Sequence, residues 1–302
     1  MTLTAKRHMR GYAWVVPPPA AFSEADLPFR RRVIRAPSSP LVLSVPHAGI
    51  AKTGFEAAVA AALDIRTDAD LFVDRLYGID EASLAQGAGW GGPFVAATLS
   101  RFVCDMNRDP DDVSPQAVPD HPRPTNADGR GFIWVVTTDG TPALARPLSL
   151  AEWRARQTIH TAYHAAISDA LAAAKQRFGF AVLLDGHSMP GVGRAGHRDP
   201  GRQRADIVPG DRDGTSCSPA LSRLVKAHFE TRSFQVAFNE PYKGGFITTH
   251  HGRPHENVHA IQIELRRDLY MDEATFTPKE SGVARLQVAL NELLSALDAF
   301  RP

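Results

Sequence analysis

The segment Phe180–Pro190 reads FAVLLDGHSMP and predicts the centre of the fold. Its first five residues are apolar, a run that is too short for an independent helix and typical of a buried strand. Asp185 and His187 follow directly. Because ligands of open α/β sheets bind beyond the carboxyl ends of the strands, His187 is a candidate functional residue. Asp-Gly is also a common turn pair, and taken alone the segment favours a plain turn.

The composition is that of a globular protein with a balanced charge. The chain has 302 residues, of which 43% are hydrophobic and 22% charged, and its formal net charge is +1. This balance gives no field for nucleic acid or a membrane surface and favours a small-molecule partner. Cys104 and Cys217 make no disulfide framework, which favours a reducing cytoplasm. We find neither a membrane-spanning apolar run nor the apolar core of a signal peptide.

A segment rich in proline and arginine precedes the first predicted strand. This segment, residues 1–40, predicts an irregular arm that lies on the body of the protein. Leu41–Val45 then has the pattern of a buried strand, and His47 follows after a proline. A second strand therefore also ends in a histidine. We predict a single domain over residues 41–302.

Helix and strand patterns alternate along the rest of the chain. Strands are predicted at residues 94–98, 132–137, 235–239 and 259–265, and helices at residues 149–178 and 218–231 and from residue 277 onward. The helix at 149–178 has a capping box of Ser149 and Glu152 and a terminating Gly179. The last helix is predicted to open with a capping box of Thr277 and Glu280. This alternation predicts an α/β fold.

Two aspartates near a predicted helix start are candidate functional carboxylates. Thr67 and Asp70 have the spacing of an N-terminal cap. Asp74 lies four residues after Asp70, which would place both carboxylates on one helical face. Acidic residues in a first turn also complement the helix dipole, so a structural role explains either of them.

His47 and His187, with Asp70 or Asp74, make a candidate metal site. Hydrolysis of an amide at neutral pH needs an activated water and a stabilised oxyanion, and Zn²⁺ held by three protein ligands supplies both. Two histidines and a carboxylate are a common catalytic ligand set. The chain has twelve histidines and no HExxH motif, so spacing alone specifies this set only weakly.

Three further residues suit the other steps of such a reaction. Glu264 lies in a strand pattern that alternates at period two, where a carboxylate among apolar neighbours needs a reason, and it is the candidate general base. Arg101 and Arg108 each offer a planar, permanently charged fork for a substrate carboxylate.

Other catalytic chemistries fit the sequence less well. Ser188 is next to His187, but adjacent strand residues point to opposite faces and the GxSxG elbow is absent. Cys104 lies in an alternating strand pattern and Cys217 in a Ser-Cys-Ser-Pro turn, as expected for small buried residues.

Seven segments, in order along the chain, carry a family resemblance. They are SVPHAG at 44–49, DADLFVDRLY at 68–77, SRFVCDMNR at 100–108, LLDGHSMP at 183–190, GTSCSP at 214–219, YKGGFITTHHG at 242–252 and VHAIQIEL at 258–265. Through them the chain resembles the N-formylglutamate amidohydrolase family, in the wider zinc carboxypeptidase and aspartoacylase-like group. The resemblance implies a three-layer α/β/α fold with a central mixed sheet, zinc carboxypeptidase-like (phosphorylase/hydrolase-like).

The resemblance also implies a metal centre. His47 and His187 resemble the two zinc-binding histidines and Asp70 the acidic ligand, with Asp74 as the alternative. Glu264 resembles the general base that activates the water. Metal-bound histidines usually have a hydrogen-bond partner that fixes the ring, and Asp185, two residues from His187 on the same strand face, is placed to serve.

Substrate-binding residues follow in the same way. Asn107 and Arg108 resemble the pair that binds the substrate carboxylate, and Arg101 is expected to polarise the scissile carbonyl. The pocket wall is expected to include Lys243, Gly244 and Gly245. Thr249 departs from the family, which often has an arginine after the Ile-Thr pair, so part of the carboxylate recognition is expected to differ.

The predicted activity is hydrolysis of N-formyl-L-glutamate to formate and L-glutamate with one Zn²⁺ per chain. Histidine degradation is the family's usual context. From the cysteine usage we expect the cytoplasm, and we expect a monomer or homodimer that binds a small carboxylate substrate. Two alternatives stay open at this point. The same site would serve another N-acyl amino acid or a short peptide, and a non-catalytic ligand-binding protein could retain the pocket.

Overall fold

A mixed six-stranded sheet forms the centre of the computed structural model, which describes residues 28–32, 34–87 and 89–302. The strand order is β1-β3-β2-β4-β6-β5. These strands are β1 (Phe29–Arg32), β2 (Leu41–Val45), β3 (Phe94–Ala97), β4 (Ala181–Met189), β5 (Ile207–Gly210) and β6 (Val258–Arg266). The inner strands β3, β2, β4 and β6 run parallel, while β1 and β5 are antiparallel to their neighbours. A minor two-stranded sheet pairs β7 (Met271–Asp272) with β8 (Thr277–Pro278).

The predicted central strand is confirmed as β4, and all nine of its residues are buried. The turn that its sequence favoured at Asp185–Gly186 is wrong. Strand β2 pairs with β4 as far as Asp185 and β6 pairs with it to Met189, so extended hydrogen bonding continues through both residues. Gly186 instead allows close packing, because a Cβ atom there would lie 2.5 Å from the Tyr77 ring.

Helices cover both faces of the sheet. They are α1 (Val73–Leu76), α2 (Glu81–Ala85), α3 (Leu150–Phe178), α4 (Pro219–Glu230), α5 (Phe246–His251) and α6 (Glu280–Ala299). Tyr163 of α3 shares a buried cluster with Leu183 of β4, whereas Leu290 of α6 shares the opposite cluster with Leu184. The α/β prediction is therefore confirmed. Within the described residues, no helix is both long and apolar enough to cross a membrane.

Local signals define the ends of α3 as predicted. Ser149 and Glu152 form the reciprocal capping box, in which each side chain accepts a hydrogen bond from the other residue's backbone N–H. Gly179 ends the helix with φ of 82°, a left-handed conformation that glycine adopts without steric cost.

Part of the predicted arm is regular. Phe29–Arg32 form an edge strand that pairs with β3, because the buried Phe29 packs edge-to-face on Tyr163 with ring centroids 5.4 Å apart. The sequence interpretation of this stretch as irregular is wrong. Residues 1–27 of the proposed arm lie outside the described residues, and the division at residue 40 remains a prediction.

Four other local predictions are wrong. The helix predicted from Thr67 is only the four-residue α1, which follows Phe72 at φ of 64°. The segments 132–137 and 235–239 make isolated bridges rather than strands. Thr277 belongs to β8, and Lys279 caps α6 with no side-chain hydrogen bond. Before α1 and in the segment 235–239, hydrogen bonds to distant residues replace the local pattern, as from Asp70 N to the His47 carbonyl and from Ala237 N to the Ile207 carbonyl.

Candidate active site

Strands β4 and β6 carry four polar side chains on one face at their carboxyl ends. Asp185 lies beside Gln262 and His187 beside Glu264 in the parallel register. Because side chains alternate at period two, all four share the face that Leu183 presents to α3. The predicted alternation of β6, with Glu264 on the face opposite its apolar partners, is confirmed.

His47, Asp70 and His187 converge at this end of the sheet. The two histidine Nδ1 atoms are 3.2 Å apart. Asp70 Oδ2 lies 3.1 Å from the Nδ1 atom of His187 and 3.5 Å from that of His47. A tetrahedral ion with ligands at about 2.0–2.2 Å separates neighbouring ligand atoms by roughly 3.3–3.6 Å. The three buried side chains could therefore hold a metal ion.

Each histidine is oriented from behind by a carboxylate. His47 Nε2 lies 2.7 Å from Asp105 Oδ1, and His187 Nε2 lies 2.8 Å from Asp185 Oδ2. An Nε2–H bond to each carboxylate leaves the Nδ1 lone pair of each ring facing the shared centre. The predicted contact between Asp185 and His187 is present. Asp105 was missed by the sequence analysis, although a carboxylate within the buried pattern Phe102–Met106 requires a partner and was a usable signal.

Ion pairing rather than burial decides the charges of this centre. Burial alone would raise the pKa of Asp70, but His187, His47 and Arg267 hold it well below its usual value. Burial likewise opposes the charged form of His187, yet its contacts with Asp185 and Asp70 raise its pKa well above the usual value. Both shifts arise because negative charge lies against the ring of His187, and this charge favours a cation there, which is the proton of His187 when no metal ion is bound.

Asp70 also has a partner on its other oxygen. Arg267 Nη2 donates to Asp70 Oδ1 at 2.9 Å, and Ser188 Oγ donates to the same oxygen at 3.3 Å. These bonds leave Oδ2 for the shared centre. The sequence analysis missed Arg267, whose position directly after β6 is the signal that could have found it. Ser188 is thus a hydrogen-bond partner of Asp70.

Asp74 lies apart from this centre. Its Oδ2 atom accepts a hydrogen bond from Arg30 Nη2 at 2.5 Å, and its Oδ1 atom accepts one from the backbone of Arg75 at 2.9 Å. The fold brings Asp70, and not Asp74, to the two histidines.

Glu264 is buried beside the centre, and its pKa lies near neutral pH. Its Oε1 atom accepts a hydrogen bond of 2.8 Å from Gln262 Nε2. Burial raises its pKa to about 7, against the opposing effect of His187. A carboxyl group with this pKa can both accept and return a proton at neutral pH.

A polar cavity of about 410 Å³ opens onto these groups. The residues predicted to bind or polarise a substrate all line it, namely Arg101, Asn107, Arg108, Lys243, Gly244 and Gly245. Thr249, by contrast, is exposed on α5, where its Oγ1 donates to the Gly245 carbonyl at 2.7 Å.

Two of these wall residues are firmly positioned. Arg101 donates to Asp105 Oδ2 through Nε at 3.1 Å and Nη2 at 2.7 Å, and its guanidinium lies over the Trp134 ring at 4.4 Å. Asn107 accepts from the backbone of Ile247 at 2.8 Å, and a Cβ atom on Gly245 would lie 2.5 Å from its amide. Glycine at 245 is therefore required for α5 to approach Asn107.

A family model and similar proteins of known name all point to the same family. The N-formylglutamate amidohydrolase family model matches residues 39–271. An N-formylglutamate deformylase of Pseudomonas aeruginosa is 33% identical over 268 residues, covering 86% of this chain and 93% of the relative. One of Pseudomonas putida is 32% identical over 269 residues with the same coverage.

Solved structures agree. An N-formylglutamate amidohydrolase from Ralstonia eutropha JMP134 has a TM-score of 0.78 at 36% identity, covering 90% of this chain and 98% of that one. A gene product of Agrobacterium tumefaciens, with a TM-score of 0.57 at 22% identity over 91% of this chain and 98% of its own, shares the fold. The predicted resemblance is confirmed, while its zinc carboxypeptidase-like detail remains a prediction. The chain belongs to the N-formylglutamate amidohydrolase family.

Proposed function

We propose that the protein hydrolyses N-formyl-L-glutamate to formate and L-glutamate with one Zn²⁺ per chain. The observation that carries this proposal is the buried group of His47, Asp70 and His187 with Glu264 beside it, in a chain of this family. Imidazole nitrogens and a carboxylate oxygen suit Zn²⁺, which prefers such ligands in tetrahedral geometry. When bound, Zn²⁺ would supply Lewis-acid polarisation and a water of lowered pKa.

Glu264 moves the protons in this mechanism. Gln262 occupies Oε1, so Oε2 is the oxygen that accepts a proton from the attacking water. As the water oxygen bonds to the formyl carbon and the C–N bond breaks, Glu264 returns this proton to the departing nitrogen. The new carboxyl group then loses the second proton of the water to the amine, so the products are formate and L-glutamate with a protonated amine.

The arginines of the cavity wall orient the substrate. Arg108 donates to the backbone oxygens of Arg130 and Asn107, both at 3.1 Å, and these bonds hold its guanidinium in the cavity wall. We assign it to the substrate α-carboxylate, with Asn107 beside it. Arg101, fixed by Asp105, is assigned to the scissile carbonyl oxygen, where its charge stabilises the developing negative charge.

Replacement of Glu264 by Gln tests the assignment of the base. We expect Glu264→Gln to lower formate release from N-formyl-L-glutamate by about 10²–10⁴-fold while the metal content stays unchanged. Formate is measured with a coupled dehydrogenase and zinc by mass spectrometry. Glu230→Gln, exposed on α4, is the control. A metal-free preparation that is active, and whose rate Glu264→Gln does not change, would overturn the proposal.

A reducing compartment is also part of the proposal. Cys104 and Cys217 are both free and buried. Burial raises the pKa of Cys104 to about 12 and that of Cys217 to about 11, so neither is a reactive thiolate at neutral pH. We propose the cytoplasm on this ground, and a monomer or homodimer remains the expectation.

A further inference from the structure

The substrate of the proposed reaction is a dianion, and the assignments above place only its α-carboxylate. N-formyl-L-glutamate carries a second carboxylate at the end of its side chain. A carboxylate that leaves water for a cavity needs a cationic partner of its own. The cavity wall should therefore contain a second cation that no protein carboxylate neutralises.

Some of the cationic side chains in the cavity wall are paired with a protein carboxylate and others are not. Among the described residues, the arginines and lysines that line the cavity are Arg101, Arg108, Arg130, Arg198, Arg212, Lys243 and Arg267. Ion pairs within 4.0 Å join Arg101 to Asp105, Arg130 to Asp128, Lys243 to Asp213 and Arg267 to Asp70. Across the described ranges no such pair involves Arg108, Arg198 or Arg212. Of these three, Arg198 is exposed, whereas Arg108 and Arg212 are half-buried.

The acidic neighbours of Arg212 are engaged elsewhere. Asp211 Oδ2 accepts from Ser222 Oγ at 2.7 Å, and its Oδ1 accepts from Asn239 Nδ2 at 2.8 Å. Asp213 pairs with Lys243 at 2.8 Å. Both flanking carboxylates are thus held away from the guanidinium, which keeps its charge available to the cavity.

The backbone of Arg212 is also fixed in an unusual conformation. Arg212 and Asp213 have φ of 57° and 58°, a left-handed pair that costs non-glycine residues on the order of 1–2 kcal/mol each. Arg212 N donates to the Lys243 carbonyl at 2.8 Å, and Thr215 Oγ1 donates to the Arg212 carbonyl at 2.7 Å. Its Nη1 atom donates to the Gly244 carbonyl at 3.1 Å. These bonds present the guanidinium to the cavity in one preorganised position.

We propose that Arg212 binds the side-chain carboxylate of the substrate and so makes the enzyme selective for an N-formyl dicarboxylic amino acid. This inference rests on the proposed function and adds a specificity-determining residue to it. Arg108 and Arg212 are the half-buried guanidiniums of the described cavity wall that lack a carboxylate partner, and they match the two charges of the substrate.

A substrate pair isolates this contact. N-formyl-L-glutamine has the shape of N-formyl-L-glutamate without the side-chain charge. We expect Arg212→Met to lower kcat/KM for N-formyl-L-glutamate by about 10–100-fold, the range of a charged hydrogen bond, and to change that for N-formyl-L-glutamine by less than about threefold. Arg198→Met, a matched change at the exposed cavity arginine, should leave the ratio of the two substrates unchanged.

The outcomes separate the inference from the proposed function. An equal loss of kcat/KM on both substrates, or no loss on either, would overturn the role of Arg212 while leaving the proposed function intact. No formate from either substrate with the zinc-loaded wild type would overturn both. Thermal melting checks the folding of each variant. If Arg212→Met does not fold, Arg212→Lys keeps the charge but loses the planar fork, and it should lower the glutamate-to-glutamine ratio in the same direction by a smaller factor.

Discussion

Asp105 joins the parts of the candidate site through four donors. His47 Nε2 and the backbone N–H of Asn107 donate to Oδ1 at 2.7 and 2.8 Å. Trp134 Nε1 donates to Oδ2 at 3.0 Å, and Arg101 donates to the same oxygen through Nε at 3.1 Å and Nη2 at 2.7 Å. One buried carboxylate therefore sets the orientation of a candidate metal ligand, a candidate substrate-binding residue and a candidate catalytic arginine together.

Asp70 and Asp74 give a residue-scale prediction with an internal control. Replacing the hydrogen-bond partner of a metal ligand typically lowers metal affinity by about 10–100-fold. Loss of the charge of a ligand itself should therefore cost more. We expect Asp70→Asn to weaken Zn²⁺ binding by at least about 100-fold, measured by chelator competition. Asp74→Asn should bind zinc as the wild type does, because Asp74 pairs with Arg30 instead.

Zinc binding by these two variants can also contradict the assignment of Asp70. If Asp74→Asn loses zinc and Asp70→Asn retains it, the ligand assignment is wrong. The ion pair of Asp74 with Arg30 is partly exposed, with side-chain accessibilities of 21% and 23%, so its loss should cost no more than about 1 kcal/mol of stability. A zinc defect in Asp74→Asn would therefore not be a folding effect.

The sequence left these two aspartates unresolved for a physical reason. Their spacing suits one face of a helix, but the chain at Asp70 is not helical, and Phe72 takes a left-handed φ of 64° before α1 begins. Asp70 N instead donates to the His47 carbonyl at 2.9 Å. This tertiary bond, which no local pattern encodes, selects Asp70. His47 and His187, by contrast, follow strand patterns and could be predicted.

At the scale of elements, α3 supports the loop that carries Asn107 and Arg108. His164 Nε2 lies 2.9 Å from the Met106 carbonyl, and His160 Nε2 lies 3.0 Å from the Arg108 carbonyl. Residues four apart lie on one helical face, so both imidazoles reach the same loop. The carbonyls on either side of Asn107 are thus held by one helix.

Removal of the His160 donor should therefore act on substrate binding. We expect His160→Leu to raise KM for N-formyl-L-glutamate by about tenfold with kcat changed by less than about threefold, because the loss displaces a binding loop rather than the base. His160→Gln restores an amide donor and should recover most of the KM. Steady-state kinetics of formate release measure both.

His228 provides the matched control for this prediction. It is another buried histidine whose Nε2 holds a backbone carbonyl, that of Ala289 at 2.8 Å, and it contacts α6 rather than the cavity. His228→Leu should lower thermal stability by a similar amount and leave KM unchanged. An equal rise of KM in the two leucine variants would show that α3 has no specific positioning role.

Elements with strong local signals were the predictable part of the fold. Helix α3 carries its own start and stop signals in Ser149, Glu152 and Gly179, and β6 shows its alternation in the sequence. The segment 235–239 has strand-like residues but makes one bridge, Ile207 to Val236, in the described chain. Its pairing depends on the start of β5 at Ile207, which lies beside it only in the assembled sheet.

At the scale of the whole molecule, a cluster of neutral histidines makes stability depend on pH. Burial lowers the pKa of His160 to about 4 and that of His251 to about 3, and it holds that of His164 well below the usual value. His164 Nδ1 and His251 Nε2 are 2.9 Å apart, a bond that needs one ring nitrogen without a proton. In the unfolded chain each imidazole titrates near 6.5.

The sign follows from proton counts. Between about pH 4 and 6.5 these histidines bind protons in the unfolded chain but not in the folded protein. The free energy of unfolding therefore falls as the pH falls. His187 acts in the opposite direction, because its carboxylate partners raise its folded pKa and it contributes stability that is lost as the pH rises. His187 is present in both the wild type and a single-site variant, so its contribution cancels when their free energies of unfolding are subtracted.

His251→Gln isolates one member of the cluster. A histidine that stays neutral in the fold costs about 2 kcal/mol of stability between pH 6.5 and 5. We therefore expect the wild type to lose about 2 kcal/mol more than His251→Gln on going from pH 7 to 5, measured by guanidinium unfolding in chelator. His255→Gln, at a side chain that is 77% exposed, should follow the wild type. Parallel losses in wild type and His251→Gln would contradict the prediction, since the buried imidazole would then take up its proton without unfolding.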